Sequence, residues 1–342
     1  MRAVVVGSGI CGASIAFELA KAGHEVVVVE ELNGPAGGVT SSAMGWINAA
    51  IGVEPEENPA LYALRQEALE AHYQWGRDFG GDWPFRQTAS LIWEKTADET
   101  ECFFQKHNQA GAAIRRVGAG ELKRKIPRLR DVPEYAALLE RDGVLDTVAA
   151  TELLLKLAGS FGCQALFNTK IIGILEENGR VSGVRTRDLT LKADALVLAN
   201  GTRMKPLLAP LGIEDPVDVS PAALVRLEKV LGFSLEEIIC APNVEVRQLQ
   251  DGRLQVAEDA VGLNEAAVAS KAKAGLLATF NDLEGRLDIE SVRISGRPMP
   301  RTHWPMTHRA AGFDNLWTFV LHPGVILAPL AARRLASEIG FL

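Results

Sequence analysis

The opening of the chain, MRAVVVGSGICGASIAFELAKAGHEVVVVE, constrains the fold more than any other stretch. Ala3 to Val6 is apolar, rich in β-branched residues and without alternation, which suits a strand buried on both faces of a parallel sheet. Gly7-Ser8-Gly9-Ile10-Cys11-Gly12 follows as G-x-G-x-x-G. In such a loop the first glycine makes a tight turn, the second admits a pyrophosphate close to the backbone, and the third lets helix pack on strand. The pattern predicts a helix continuing from Ser14 to Lys21, with its N-terminus facing the phosphates. Free N–H groups and the helix dipole favour an anion there. Gly23 ends the helix, His24 to Val29 reads as a second strand, and Glu30 closes it with a carboxylate suited to two ribose hydroxyls. A lone glycine fingerprint is weak. Here strand, loop, helix, strand and acid fall in order, so the segment reads as a dinucleotide site. Cys11 reads as an inert buried thiol, because no cation adjoins it in sequence.

Composition narrows the rest. With 342 residues the chain has room for two domains or one large one. A net charge of −7 argues against a nucleic-acid surface, which needs a basic stripe. Four cysteines, far apart and without Cys-x-x-Cys, fit reduced thiols in a cytoplasmic protein. The N-terminus is too short in apolar residues for a signal peptide. The apolar stretch Leu316 to Ala332 is interrupted by His322, Pro323, Gly324 and Pro329, so no integral membrane segment is expected. His303, His308 and His322 lack a companion carboxylate or thiol at ligand spacing, so no metal is expected.

The fingerprint does not choose between FAD and a nicotinamide nucleotide. Three later stretches bear on the choice. Gly37 to Ala50, GGVTSSAMGWINAA, places hydroxyls at Thr40, Ser41 and Ser42, which suit a phosphate or a helix start. Residues 143–202 read as a helix from about Thr151 to Phe161, a strand, an Asn-Gly turn and a second strand. A buried strand ending at Asn200-Gly201 then returns the chain to the first sheet. Near the C-terminus, Trp317 to Leu321 reads as a strand, His322-Pro323-Gly324 as a turn and Val325 to Ile339 as a helix. Its N-terminus suits negative charge growing on a reduced flavin. A nucleotide domain resumed so far downstream is more typical of flavoproteins.

On these residues, together with Gly45-Trp46, Gly183-Val184 and Arg297-Pro298, the sequence resembles the FAD-dependent D-amino-acid oxidase superfamily, nearest its glycine oxidase and sarcosine oxidase branch. The resemblance spans most of the chain and is loosest at about 215–290. It implies an α/β fold: a Rossmann-type FAD-binding domain (1–52, 143–214 and 295–342) and a discontinuous α+β substrate domain on an antiparallel sheet (53–142 and 215–294). It implies non-covalent FAD, since no cysteine stands where sarcosine oxidases attach the flavin. Gly7, Gly9, Ile10, Cys11 and Gly12 would hold the pyrophosphate, with Glu30 at the adenosine ribose and Glu31 beside it. Thr40, Ser41 and Ser42 would lie near the pyrophosphate and flavin. Ile171 or Ile172, the second preferred, would present backbone to adenine. Asn200 and Gly201 would close the site, and Gly324, Val325 and Ile326 would face the flavin N1–C2 carbonyl.

The activity implied is oxidation of the C–N bond of a small amine or amino acid, with hydride passing to flavin N5 and the imine hydrolysing. Arg297 would bind the substrate carboxylate, with Arg301 a weaker rival. Trp46 and His322 would border the flavin, His322 with a pKa range open to proton handling. After Arg297-Pro298 the chain reads MPRTHWPM, with His303-Trp304 where the family carries Asp-Gly. The alternative reading is a flavoprotein subunit of a multi-chain amino-acid or opine-type dehydrogenase, inactive without its partner; homo-oligomerisation also stays open. An NAD-dependent dehydrogenase and a non-catalytic scaffold remain as rivals that a visible spectrum separates. Val244 to Val256 reads as antiparallel strands, and the Ala-rich stretch after it as a helix with solvated Lys271 and Lys273.

Overall fold

The structure is a computed structural model describing residues 1–302, 304 and 308–340. His303 therefore lies outside the described residues. The first strand, Arg2–Val6, pairs in parallel with Glu25–Val29 on one side and with Ala195–Leu198 on the other. Gln164–Leu166 and Leu316–Thr318 extend this parallel sheet, and His308–Arg309 closes one edge antiparallel. The return of residues 195–198 beside the first strand is the return expected from their apolar run. Helix Ile10–Lys21 begins one turn earlier than its sequence pattern suggested, because Gly9 already serves as N-cap.

One face of this sheet is covered by helices Ile10–Lys21, Thr147–Ser160 and Gly324–Gly340. Helix Pro59–Asp78 joins the same core, burying Leu64, Ala68, Leu69, Ala71 and Trp75. Phe17, Trp75, Phe79 and Trp83 interlock edge to face there, with Phe17–Phe79 and Trp75–Trp83 centroids 5.4 and 4.9 Å apart. The helix lies in the segment assigned by sequence to the substrate domain, yet its apolar face packs with the nucleotide-side sheet. The sheet's other face is covered by the antiparallel strands Gly173–Glu177, Arg180–Arg185 and Thr190–Lys192, with the Asn178-Gly179 turn between the first two.

A second sheet runs in the order Ile289–Pro300, Val217–Leu227, Leu254–Asp259, Val244–Gln248, Ile238–Ala241, Ser90–Ile92, Tyr135–Leu139 and Ile114–Gly118. Its own core packs helix Glu265–Thr279 through Val268, Ala272 and Leu276. Strand Ile289–Pro300 pairs with Val217–Leu227 up to Val217↔Pro300, so it continues across the 294/295 boundary drawn from sequence. Among the described residues, no helix is long and apolar enough to cross a membrane.

Candidate active site

A cavity of about 1920 Å³ opens between the C-terminal edge of the parallel sheet and the inner face of the large sheet. That is well beyond the ~300–1,000 Å³ of a drug-sized site, and leaves room for a dinucleotide with a small molecule beside it. Gly7, Gly9, Ile10 and Cys11 form one end of its wall with Glu30 and Glu31. Gly7 adopts φ +98°, and a Cβ there would sit 2.8 Å from the Ala199 carbonyl oxygen. The Glu30 carboxylate accepts from Ser8 N–H at 2.8 Å, Ser8 Oγ at 2.9 Å and Leu32 N–H at 3.0 Å, which fixes it under the loop. Glu31 is ion-paired with Arg203.

Thr40 Oγ1 accepts the N–H of Ile10 at 3.1 Å, so one of the three expected hydroxyls satisfies a free N–H at the start of helix Ile10–Lys21. Ser41 and Ser42 line the cavity, Ser41 Oγ donating to the Gly38 carbonyl at 3.0 Å. Asn200 and Gly201 also line it; Asn200 Nδ2 donates to the Arg203 carbonyl at 2.7 Å, while its Oδ1 is buried without a partner. Cys11 faces the same space, and burial pushes its thiol up to about 12, leaving it unreactive.

Two residues expected at the cofactor lie outside the wall. Gly12 lies behind it, where a Cβ would stand 2.0 Å from the Gly7 carbonyl oxygen, in keeping with the close packing expected of the third glycine. Ile172 is 51 % exposed and outside the wall, its N–H spent on the Arg185 carbonyl at 2.8 Å. Ile171 is the residue in the wall. Two adjacent isoleucines point to opposite sides of an extended backbone, and tertiary packing selects which turns inward.

At the other end stand Gly324, Val325 and Ile326, the first turn of helix Gly324–Gly340. First-turn N–H groups have no intrahelical acceptor and add positive potential to the cavity. Buried His72 secures this start, its Nε2 lying 3.1 Å from the carbonyls of Val325 and Ile326; burial lowers its pKa to about 4 and keeps it neutral. His322 is also lowered to about 4, by burial first and then by the charges of Arg297 and Arg65. It therefore stands as a neutral hydrogen-bonding group rather than a proton carrier near pH 7.

Trp46 lines the cavity, its Nε1 donating to Asp142 Oδ2 at 3.0 Å. Burial pushes the Asp142 carboxyl up to about 7 from 3.8, although the Trp46 bond draws it down. Between those values the folded chain keeps a proton that the unfolded chain releases. Stability therefore falls as pH rises through that window and levels off above it. Asp142→Asn is expected to gain on the wild type by up to about 1.4 kcal/mol per pH unit across the window. Urea midpoints at pH 5 and pH 7.5 check this; a gap that does not widen would exclude titration of Asp142.

Arg297 is in the wall, with Nη2 donating to Ser220 Oγ at 2.9 Å and to Asp259 Oδ1 at 2.7 Å, and with a buried, unpartnered Nε. Arg301 is outside the wall, paired with Glu214 and Asp218 at 2.6 and 2.9 Å. Near Arg297 sit carboxylates that sequence reasoning passed over. Glu258 is buried and paired at 2.8 Å with Lys271, the lysine expected to be merely solvated. Glu245 is pushed up to about 7 by burial and then by Asp259. Among the described residues, no group of three or more His, Cys, Asp or Glu could hold a metal.

A family model of FAD dependent oxidoreductases (DAO) matches residues 2–338. The chain belongs to this family. It is 27 % identical to a D-amino acid dehydrogenase of Cereibacter sphaeroides, over 99 % of this chain and 92 % of that one. It is also 27 % identical to a glycine oxidase of Pseudomonas aeruginosa, over 98 % and 94 %. Among solved structures it is similar to glycine oxidase from Geobacillus kaustophilus, with TM-score 0.86 and 19 % identity over 99 % of this chain and 95 % of that one. L-proline dehydrogenase from P. horikoshii gives TM-score 0.84 and 21 % identity over 99 % and 92 %. The cofactor of this oxidoreductase is FAD, and its residues fit that group. The loop's close backbone approach, the helix start, Glu30 at the end of the second strand and the orphaned Asn200 Oδ1 offer what a dinucleotide needs.

Proposed function

We propose that the chain oxidises the carbon–nitrogen bond of a small amino acid or amine whose carboxylate docks on Arg297. The observation that carries this is Arg297 itself, a guanidinium in the wall of the same cavity as the glycine loop and the start of helix Gly324–Gly340, with a donor left over from its protein bonds. Its planar fork matches a carboxylate bidentately. FAD, held non-covalently, would supply the two-electron acceptor for oxidation of the carbon–nitrogen bond, and water would hydrolyse the imine product. Arg297 orients the substrate so that this hydrogen points toward the acceptor. Val325 and Ile326 N–H groups stabilise the negative charge that grows beside them. Trp46, pinned by Asp142, walls off water. Neutral His322 orients by hydrogen bonding and adds no charge against the two arginines.

The test is anaerobic mixing of the FAD-loaded chain with glycine, sarcosine, proline derivatives and D- and L-amino acids. Loss of the yellow absorbance with one class is expected, and identifies it. Bound flavin that none of them bleaches favours instead the flavoprotein-subunit reading. A chain that holds no FAD would sink both.

A further inference from the structure

Helix Pro59–Asp78 buries two basic side chains on its apolar face, Arg65 and His72. His72 is accounted for by the carbonyls of Val325 and Ile326. Arg65 is not. It is 6 % exposed, and its Nη1 donates to the Ile51 carbonyl. Its Nε is buried without a partner. Burial alone lowers its pKa, to about 10, and no carboxylate draws it back up. It remains a cation at neutral pH. A buried cation without a counter-charge is strongly unfavourable, so a position that keeps one has an anion to meet.

The surroundings say where that anion sits. Arg65 is in the wall of the main cavity, with Trp46, Asn48 and Ile51. Its charge is felt at His322, which also feels Arg297. Two guanidiniums thus act on one imidazole from different elements, a helix and a strand of the large sheet. They differ in what balances them. Arg297 has Asp259 at 2.7 Å; Arg65 has a carbonyl oxygen only.

We propose that Arg65 is a second anion anchor in the substrate chamber, and that the substrate carries a second acidic group, as an amino acid or secondary amine with two carboxylates does. This rests on the reading of Arg297 as the first anchor. One carboxylate takes Arg297 and the other takes the donors that Arg65 has left over, so the molecule is held at both ends with its C–N bond between them. The same cation would also suit a negatively charged reduced flavin, and the test separates the two sources.

The FAD-loaded wild type is titrated with malonate and succinate, and with acetate and propionate, following perturbation of the flavin spectrum. At least tenfold tighter binding of the dicarboxylates is expected. Arg65→Gln should remove that preference while monocarboxylate binding stays within twofold, and Arg65→Lys should keep part of it. Flavin content and melting temperature of both variants check folding, and the lysine variant carries the test if the glutamine variant does not fold. Equal binding of both classes by the wild type, or an unchanged preference in Arg65→Gln, overturns the proposal. So does a variant whose carboxylate preference survives while sulfite bleaches its flavin less readily, since Arg65 then serves the flavin. If Arg297→Met leaves monocarboxylate binding intact, the reading beneath has failed, whatever Arg65 does.

Discussion

Gly12→Ala is expected to cost the protein its flavin. A Cβ at this position would lie 2.0 Å from the Gly7 carbonyl oxygen and 2.9 Å from the Gly7 carbonyl carbon. Both are backbone atoms of the loop, so no side chain can swing away. Relief requires the helix start to move about 1 Å from the loop, and Gly7 is itself held by its N–H to the Val29 carbonyl at 2.8 Å. A pyrophosphate at this loop would meet the N–H groups of this first turn that Thr40 leaves free, and these act only at hydrogen-bonding distance. A displacement of that size costs on the order of 100-fold in a positioned interaction. The flavin-to-protein absorbance ratio after gel filtration, and fluorescence titration with FAD, read the loss. Gly76→Ala is the control: it lies inside helix Pro59–Asp78 and its Cβ meets nothing. It should retain flavin and gain slightly in stability, since alanine is the better helix former. A Gly12→Ala chain that elutes fully yellow would show that close packing here is unconnected with the cofactor.

Arg297→Met should raise KM for a carboxylate substrate by roughly two orders of magnitude with kcat much less affected. A bidentate charge-assisted pair contributes about 3 kcal/mol when one partner is lost, which is about 150-fold in binding. The substitution spares the fold. Asp259, the partner released, is 71 % exposed, and such a pair contributes about 1 kcal/mol or less. Melting temperature should therefore move little. Arg297→Lys keeps the charge and loses the fork, so its KM should fall between the two. Anaerobic flavin reduction as a function of substrate concentration gives the binding constant directly. An unchanged constant would remove Arg297 from the carboxylate site and leave Arg65 as the guanidinium to examine.

The parts legible in the sequence are those whose atoms are neighbours in the chain. Strand, glycine loop, helix and second strand occupy residues 2–29, and each step is a local backbone requirement met by a local residue type. The same holds for the Asn178-Gly179 turn and for the C-terminal helix, which begins at the glycine marked from sequence. What went unread came from distance. Arg65 and His72 interrupt the apolar stripe of one helix; this was a visible signal, but only the fold shows that one side chain meets the cavity and the other the backbone of residues 325 and 326.

The glycine loop, the order of the strands and helix around it and the residue types along them were readable from the chain alone, because hydrogen bonding and glycine geometry act over a few residues. The opposite end of the cavity is assembled by contacts between distant segments. The Arg297–Asp259 pair joins strands 38 residues apart, and the Trp46–Asp142 bond joins residues 96 apart. It also took the fold to choose Ile171 over Ile172, and to set helix Pro59–Asp78 against the nucleotide-side core. An amphipathic pattern states that a face must be buried; which surface buries it, and which charge meets which, depends on how distant segments pack together.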